Sequence, residues 1–379
     1  MMTDAVLEVK HLSVDYGNAA GAVHAVDDVS LTLRRGQIFG LAGESGSGKS
    51  TLAYAIAHLL RPPAMITKGE VWFYPRSNSE HQGQAALQEP VDVLRLTPQG
   101  LRAFRWRRLS IVFQSAMNAL NPVLDISTQM TDVLRAHEPG LSRKAQRERA
   151  VEMLRLVGIA PDRLHSYPHE LSGGMRQRAI IAIALMLNPD IIIMDEPTTA
   201  LDVVVQREIL AEVMALREQL GFSVIFITHD LSLLLEITDQ IAIMYAGRLV
   251  ETAGQRQLYH QPRHPYTYGL LHSFPTLHGP RRSMTGIPGA PPDLRAAPTG
   301  CAFHPRCPYR FESCQTIAPT LLTPSSEAPE QRVACHLYNA SLNPLPLPGE
   351  LCAGHGAYTG NPPLKMHEEP THEHTTLLY

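Results

Sequence analysis

Gly43-Glu44-Ser45-Gly46-Ser47-Gly48-Lys49-Ser50-Thr51 decides the reading of this chain. The apolar run 37–42 before it reads as a buried strand, and residues 52–60 after it read as a helix. Strand, glycine loop and helix in that order turn a pattern into a phosphate site. Glycines let the backbone curl round an anion with its N–H groups turned inward, where a Cβ would obstruct. The helix start adds about half a positive charge. Lys49 supplies a full charge for β- and γ-phosphates, Ser50 can sit on Mg²⁺, and Gly43, Ser45, Gly46, Gly48 and Thr51 complete the cradle. The competing reading is a glycine-rich turn with a stray lysine, and the flanking strand and helix count against it.

The rest of the chain supports a nucleotide-using α/β protein. Its 379 residues are ample for a sizeable core and suggest two or more units. A net charge of −3 argues against bulk electrostatic binding to nucleic acid. The N-terminus opens straight into a strand pattern, without the look of a signal peptide. The longest apolar runs, such as 179–187, have about half the length a bilayer span needs. Together these features read as a soluble protein of the cytoplasm.

Residues 5–16 and 29–33 alternate as half-buried strands, and 68–74 reads as another. Residues 75–92 are polar, Gln-rich and without period, and read as an exposed loop. Thr97 can cap a short helix, followed by a strand at 109–113 that ends at Gln114. From 127 to 158 the apolar positions fall at helical spacing. Ala150, Val151, Leu154 and Val157 form a stripe, with Arg143, Lys144, Arg147 and Arg149 left for a solvated face. This predicts a helical subdomain, about 115–188, inserted into the nucleotide fold. Residues 190–195 form a wholly apolar strand of the kind covered on both sides. Helix 203–220, strand 222–228, a short helix from 231 and strands near 241–245 and 248–251 complete an α/β plan with a parallel sheet. Beyond 261 the composition turns to Pro and His, and 339–379 reads as a disordered tail whose His367, His372 and His374 are solvated rather than ligating.

Five further stretches bear on a bound nucleotide. Asp195-Glu196 ends the apolar strand, where α/β sheets place ligands, so Asp195 suits the metal and Glu196 the attacking water. A helix-capping pair is the alternative. Leu171-Ser172-Gly173-Gly174-Met175-Arg176-Gln177 opens an apolar helix and is a second ready anion site, or else a plain cap. Two phosphate cradles on different subdomains can serve one triphosphate if two such domains face each other head to tail. His229, just after a strand, can report a γ-phosphate; Gln114, also at a strand end, can touch Mg²⁺ or water; Tyr16 can stack on a base. Alone, such a histidine or tyrosine is more often structural.

The phosphate loop, Gln114, the 171–177 signature, 191–197, Ala200-Leu201-Asp202 and His229 occur in the order typical of ABC transporter ATPase subunits, which the chain resembles from about 5 to 255. The resemblance implies a RecA-like P-loop ABC ATPase core with an inserted helical subdomain. It also implies a head-to-tail dimer in which Lys49, Gln114, Asp195, Glu196 and His229 of one domain face Ser172 and Gly174 of the other. Asp202 looks like the residue that communicates across the pair. Finer wording is similar to the dipeptide/oligopeptide (peptide/nickel) importer ATPases: 169–178, 195–203, Met244-Tyr245-Ala246-Gly247-Arg248, His264-Pro265-Tyr266-Thr267, and 287–292 followed by Gly300-Cys301. Gln114-Ser115-Ala116-Met117-Asn118-Ala119 departs from that family's commoner wording. The implied function is ATP hydrolysis driving peptide import, or import of nickel, heme or sugar. The implied partners are a second, distinct ATPase subunit, two transmembrane permeases and an extracytoplasmic solute-binding protein, at the cytoplasmic face of the inner membrane, with no nucleic acid. A non-transport ABC ATPase is the rival, and it would ordinarily carry two ATPase domains or a long coiled coil.

The five cysteines are all late, and Cys301, Cys307, Cys314 and Cys335 are separated by five, six and twenty residues. A Cys-x₂₋₄-Cys zinc knuckle is absent and disulfides suit a reducing compartment poorly. Four thiolates can hold a [4Fe-4S] cluster, which needs Cys₄ ligation but no single spacing. The segment resembles the extension, here 261–338, in which peptide-importer ATPases carry such a cluster. Zinc and no metal stay open, as do His304 and His336 as alternative ligands, and Cys352 is left out.

Overall fold

The computed structural model describes residues 4–17, 22–76, 89–114, 119–199, 201–273, 286–326, 328–343 and 346–352. Most of the 75–92 loop, residues 115–118, Ala200 and the three tail histidines lie outside them.

Five parallel strands form the centre of a seven-stranded sheet. In chain order they are β3 (Ile38–Ala42), β6 (Leu109–Val112), β7 (Ile191–Asp195), β8 (Ser223–Ile227) and β9 (Gln240–Tyr245). They lie in the order β9-β3-β8-β7-β6, and β10 (Arg248–Gly254) then β11 (Arg332–Val333) add antiparallel to the β9 edge. A second, antiparallel sheet runs β2-β1-β4-β5, from β1 (Ala5–Tyr16), β2 (Val23–Arg34), β4 (Ala64–Phe73) and β5 (Val91–Asp92).

The uninterrupted apolar runs follow from this layering, because side chains alternate between faces and both faces are covered. Phe39, Leu41, Ile191, Ile193, Ile225 and Ile227 join the core shared with the small antiparallel sheet. Their neighbours Ile38, Ala42, Ile192, Met194, Val224 and Phe226 join the core shared with the helices.

Helix α1 (Lys49–Ile56) follows β3, and α2 (Pro98–Phe104) starts at Thr97, whose hydroxyl accepts from Gly100 N–H as the sequence predicts. The helical insertion contains α3 (Ile126–His137), α4 (Arg143–Leu156) and α5 (Gly173–Leu185). Ala150, Leu154 and Val157 are buried, and Arg143, Lys144 and Arg147 are exposed. Arg149 corrects the solvated-face reading: it donates to Met186 O and Asn188 Oδ1, fastening α4 to the end of α5. Helices α6 (Val203–Leu220) and α7 (Leu231–Ile237) flank β8.

The segment beyond 261, Pro- and His-rich and with little period in sequence, nonetheless forms regular elements. After α8 (Gln255–His260), which follows β10, it contains α9 (Pro265–His272), and it contributes β11 to the main sheet. The buried Glu251 carboxylate on β10 accepts from the N–H groups of Arg263 and His264 and from Gln331 Nε2, so one acid gathers three stretches of chain. Within the stretch read as a tail, 349–352 is a short helix with Leu351 buried, and 353–379 lie outside the described residues.

Candidate functional site

The C-terminal ends of four adjacent parallel strands carry the candidate residues. β3 leads to the glycine loop, β7 ends in Asp195-Glu196, β8 leads to His229 and β6 leads to Gln114. This is the edge where open α/β sheets place ligands.

Two glycines of the loop are dictated by space as well as by backbone angle. A Cβ on Gly43 (φ +152°) would lie 2.2 Å from Met244 O, and one on Gly48 (φ +102°) would lie 2.2 Å from Ala25 O. No other residue fits there. Ser45 and Gly46 are exposed at the loop's rim. Lys49 is buried, and its Nζ donates to Gly43 O (2.8 Å), Glu44 O (2.9 Å) and Ser47 Oγ (3.3 Å). Burial pulls its pKa down, while Glu196, Asp195 and Glu44 push it the other way. The ammonium thus bonds back to the loop's own carbonyls. Tyr16 is half-buried and its hydroxyl lies 3.3 Å from Thr51 Oγ1, beside the loop helix.

Ser50 Oγ donates to Asp195 Oδ1 at 3.1 Å. Asp195 Oδ2 is buried and makes no hydrogen bond of good geometry, with the Tyr54 hydroxyl close to the carboxylate, and burial raises the carboxyl's pKa. A hydroxyl touching a carboxylate whose other oxygen lacks a well-formed hydrogen bond is a donor set suited to a hard divalent cation. The residues therefore fit Mg²⁺.

Glu196 is the hub of the group expected to handle water. Its Oε2 accepts from Gln114 Nε2 (3.0 Å) and from Thr199 Oγ1 (3.0 Å), and its Oε1 accepts from His229 Nδ1–H (3.3 Å). Its own backbone has φ +46°, outside the strand that precedes it, and its N–H bonds Ile227 O. Such backbone strain is found where a side chain must be aimed. Gln114 and His229, expected separately from sequence, are here joined by the Glu196 carboxylate. Thr199 is an addition, and its only sequence signal is its place three residues beyond Glu196.

Ser172 caps α5, accepting from Met175 N–H at 3.3 Å, and is otherwise exposed. Gly173 and Gly174 form the first turn, where a Cβ on Gly174 would lie 2.8 Å from Val205 Cγ1. Among the described residues, no hydrogen bond ties Ser172, Gly173 or Gly174 to the phosphate loop of the same chain. Asp202 is exposed and caps α6 by accepting from Val204 and Val205 N–H.

Cys301, Cys307, Cys314 and Cys335 line one small cavity together with Phe303 and His264. Burial raises the Cys301 and Cys335 thiols and pushes Cys307 up to about 12. Among the described residues, however, no three His, Cys, Asp or Glu side chains form a ready-made metal-binding group. Four soft donors facing one cavity remain the donor set a [4Fe-4S] cluster takes. His304 and His336 also line this cavity. His304 Nδ1 and His336 Nε2 lie at hydrogen-bond distance from Cys301 O and Ile317 O, a contact that occupies one ring nitrogen and is compatible with ligation through the other, so both stay open as alternative ligands.

Residues 26–199 match the family described as ABC transporter, and residues 250–314 match the oligopeptide/dipeptide transporter C-terminal region. The dipeptide transport ATP-binding protein DppD of Bacillus subtilis is 42% identical over 320 residues, covering 83% of this chain and 90% of that protein. The oligopeptide transport ATP-binding protein OppD of Escherichia coli is 40% identical over 318 residues, covering 83% and 89%. In fold, the chain is similar to the ATP-binding cassette MJ0796, solved as a dimer in a post-hydrolysis state with ADP and Pi. The TM-score is 0.55 at 27% identity, over 66% of this chain and 99% of that one. With the glycine loop, the acid-ended strand and the Leu-Ser-Gly-Gly helix start all within the matched residues 26–199, the chain belongs to the ATP-hydrolysing, ATP-binding subunits of ABC transporters, in their oligopeptide/dipeptide branch.

Proposed function

We propose that this subunit hydrolyses ATP to drive peptide import across the cytoplasmic membrane. The observation that carries the chemical part is the Glu196 carboxylate, held by Gln114, Thr199 and His229 beside the Ser50–Asp195 pair. Lys49 and the loop N–H groups hold the β- and γ-phosphates. Ser50, Asp195 and Gln114 would hold Mg²⁺, which when bound neutralises charge on the phosphate oxygens. Glu196 orients a water against the γ-phosphorus and accepts its proton. The new P–O bond forms from that water as the bond to the β-phosphate oxygen breaks, and the electron pair leaves with ADP. His229 hydrogen-bonds the γ-phosphate, and Tyr16 stacks on the base.

The second half of the site comes from another molecule. Ser172, Gly173 and Gly174 form an anion-binding helix start that no described bond links to this chain's own loop. A head-to-tail partner ATPase, a distinct homologue, would bring its own equivalent to Lys49. Asp202, exposed at the start of α6, contacts the partner. The MJ0796 cassette, solved as a dimer, supports the pairing of two such domains. Residues 1–260 form the ATPase domain, with the insertion at about 115–188, and 261–338 form the extension that carries a [4Fe-4S] cluster on its four cysteines. Among the described residues no helix is long and apolar enough to cross a membrane. In this reading the subunit works peripherally at the cytoplasmic face, on two permease subunits fed by an extracytoplasmic binding protein. The names of the dipeptide and oligopeptide relatives support peptide as the solute.

Uptake of labelled dipeptide, nickel, heme and sugar in cells lacking the gene tests the solute. Loss of dipeptide uptake, restored by the wild-type gene and not by Lys49→Ala, is expected; loss confined to another solute refutes the peptide reading. Anaerobic purification with iron, sulfide and zinc analysis tests the cluster. About four iron atoms per chain are expected, and a colourless zinc protein or a metal-free one refutes it.

A further inference from the structure

Glu44, the second residue of the phosphate loop, is held from the far end of the chain. Arg306 Nη1 donates to Glu44 Oε2 at 2.7 Å and Nη2 to Oε1 at 3.0 Å, a two-pronged pair across 262 positions. The Arg306 side chain is 6% exposed and that of Glu44 25%. The guanidinium is itself fixed: Nε donates to Pro288 O, Nη1 also reaches Tyr245 OH, and its carbon lies over the rings of Tyr245 (5.8 Å) and Phe303 (5.9 Å). A second contact comes from the same region, where the fully buried Tyr266 accepts the Glu44 N–H through its hydroxyl at 2.9 Å. The loop that cradles phosphate is therefore pinned at one residue, by backbone and by side chain, from the segment following β10.

We infer that Arg306 is a positioning residue for ATP, acting through Glu44 to neutralise a carboxylate at the phosphate site and to hold the loop in its binding shape. This rests on the assignment of the loop to ATP. Without Arg306, the Glu44 carboxylate stands unpaired beside incoming phosphates and repels them. A planar fork matched to a carboxylate explains why arginine occupies the position and why lysine would serve less well. Neither Arg306 nor Tyr266 touches Gln114, Glu196, Thr199 or His229 in the described contacts. The effect therefore falls on ATP capture rather than on the attack of water.

The test is a double-mutant cycle on the ATPase in its assembled transporter, reading KM for ATP and kcat separately. Arg306→Ala is expected to raise KM about tenfold, as loss of a charged hydrogen-bonded pair does, with kcat falling no more than about twofold. In the Glu44→Ala background the same substitution is expected to leave KM where Glu44→Ala alone puts it. A purely structural role would lower the active fraction, and so kcat, at unchanged KM. An effect on the neighbouring cysteines would persist with Glu44 removed. An unchanged KM, or an equal rise in both backgrounds, overturns the inference. If Arg306→Ala does not fold, Arg306→Lys carries the same cycle, with an expected rise of about threefold that vanishes without Glu44. Wild type and Lys49→Ala run alongside: if wild type does not hydrolyse ATP, or Lys49→Ala does so equally well, the ATP assignment fails. If those controls behave and Arg306 has no effect, only this inference fails.

Discussion

Replacing Glu196 by glutamine separates the two jobs its carboxylate performs. Oε2 receives Gln114 and Thr199, both at 3.0 Å, and Oε1 receives His229 at 3.3 Å. A glutamine can keep its oxygen toward Gln114 and Thr199 and turn its amide toward His229, whose Nδ1 then accepts through the other tautomer. The hydrogen-bonded group survives and only proton acceptance is lost. A positioned general base contributes roughly 10²–10⁴ in rate, or about 2.7–5.5 kcal/mol of barrier. Steady-state ATP turnover of Glu196→Gln should therefore fall by that factor, while ATP binding stays within about threefold of wild type because Lys49 and the loop are untouched. Binding is read by equilibrium dialysis with labelled ATP. A turnover within about threefold of wild type would refute the assignment of Glu196 to water, since no other group in the described site accepts from so many partners.

Three other outcomes follow from the same geometry. Asp195→Asn, which removes charge from the pair with Ser50, should raise the Mg²⁺ concentration for half-maximal ATPase at least about tenfold; a Mg²⁺ titration checks it. Gly48→Ala places a Cβ against Ala25 O at positive φ. The strain, about 1–3 kcal/mol, should weaken ATP binding roughly 5- to 150-fold, measured by calorimetry. Glu251→Ala strips the acceptor from Arg263 N–H, His264 N–H and Gln331 Nε2. It should cost about 3 kcal/mol or more, seen as a lower denaturant midpoint and faster proteolysis of the C-terminal segment.

Local chemistry makes the nucleotide half legible in the sequence itself. The glycine loop, the apolar 191–195 strand and the helix 203–220 each announce themselves within a dozen residues, because backbone angle, burial on two faces and helical period are local signals. What escaped depends on distant partners. Arg149 reads as one base in a charged helix, and only the arrival of Asn188 and Met186 makes it a clasp. β11 has just two residues, too short for any period, and exists because β10 offers it an edge. Glu44 looks like filler between glycines until Arg306 and Tyr266 come round the sheet to meet it. The cysteines stood out by clustering, yet their convergence on one cavity follows from tertiary packing that spacing alone could not supply.

The central claim is that one molecule's loop and another's Ser172 helix start close on the same ATP. A photo-crosslinking residue placed at Ser172, in the assembled transporter carrying Glu196→Gln and saturated with ATP, tests it directly. Mass spectrometry should map ATP-dependent adducts to the phosphate loop of a second ATPase chain. Adducts confined to the same chain, or adducts to the second chain that are indifferent to ATP, would contradict it.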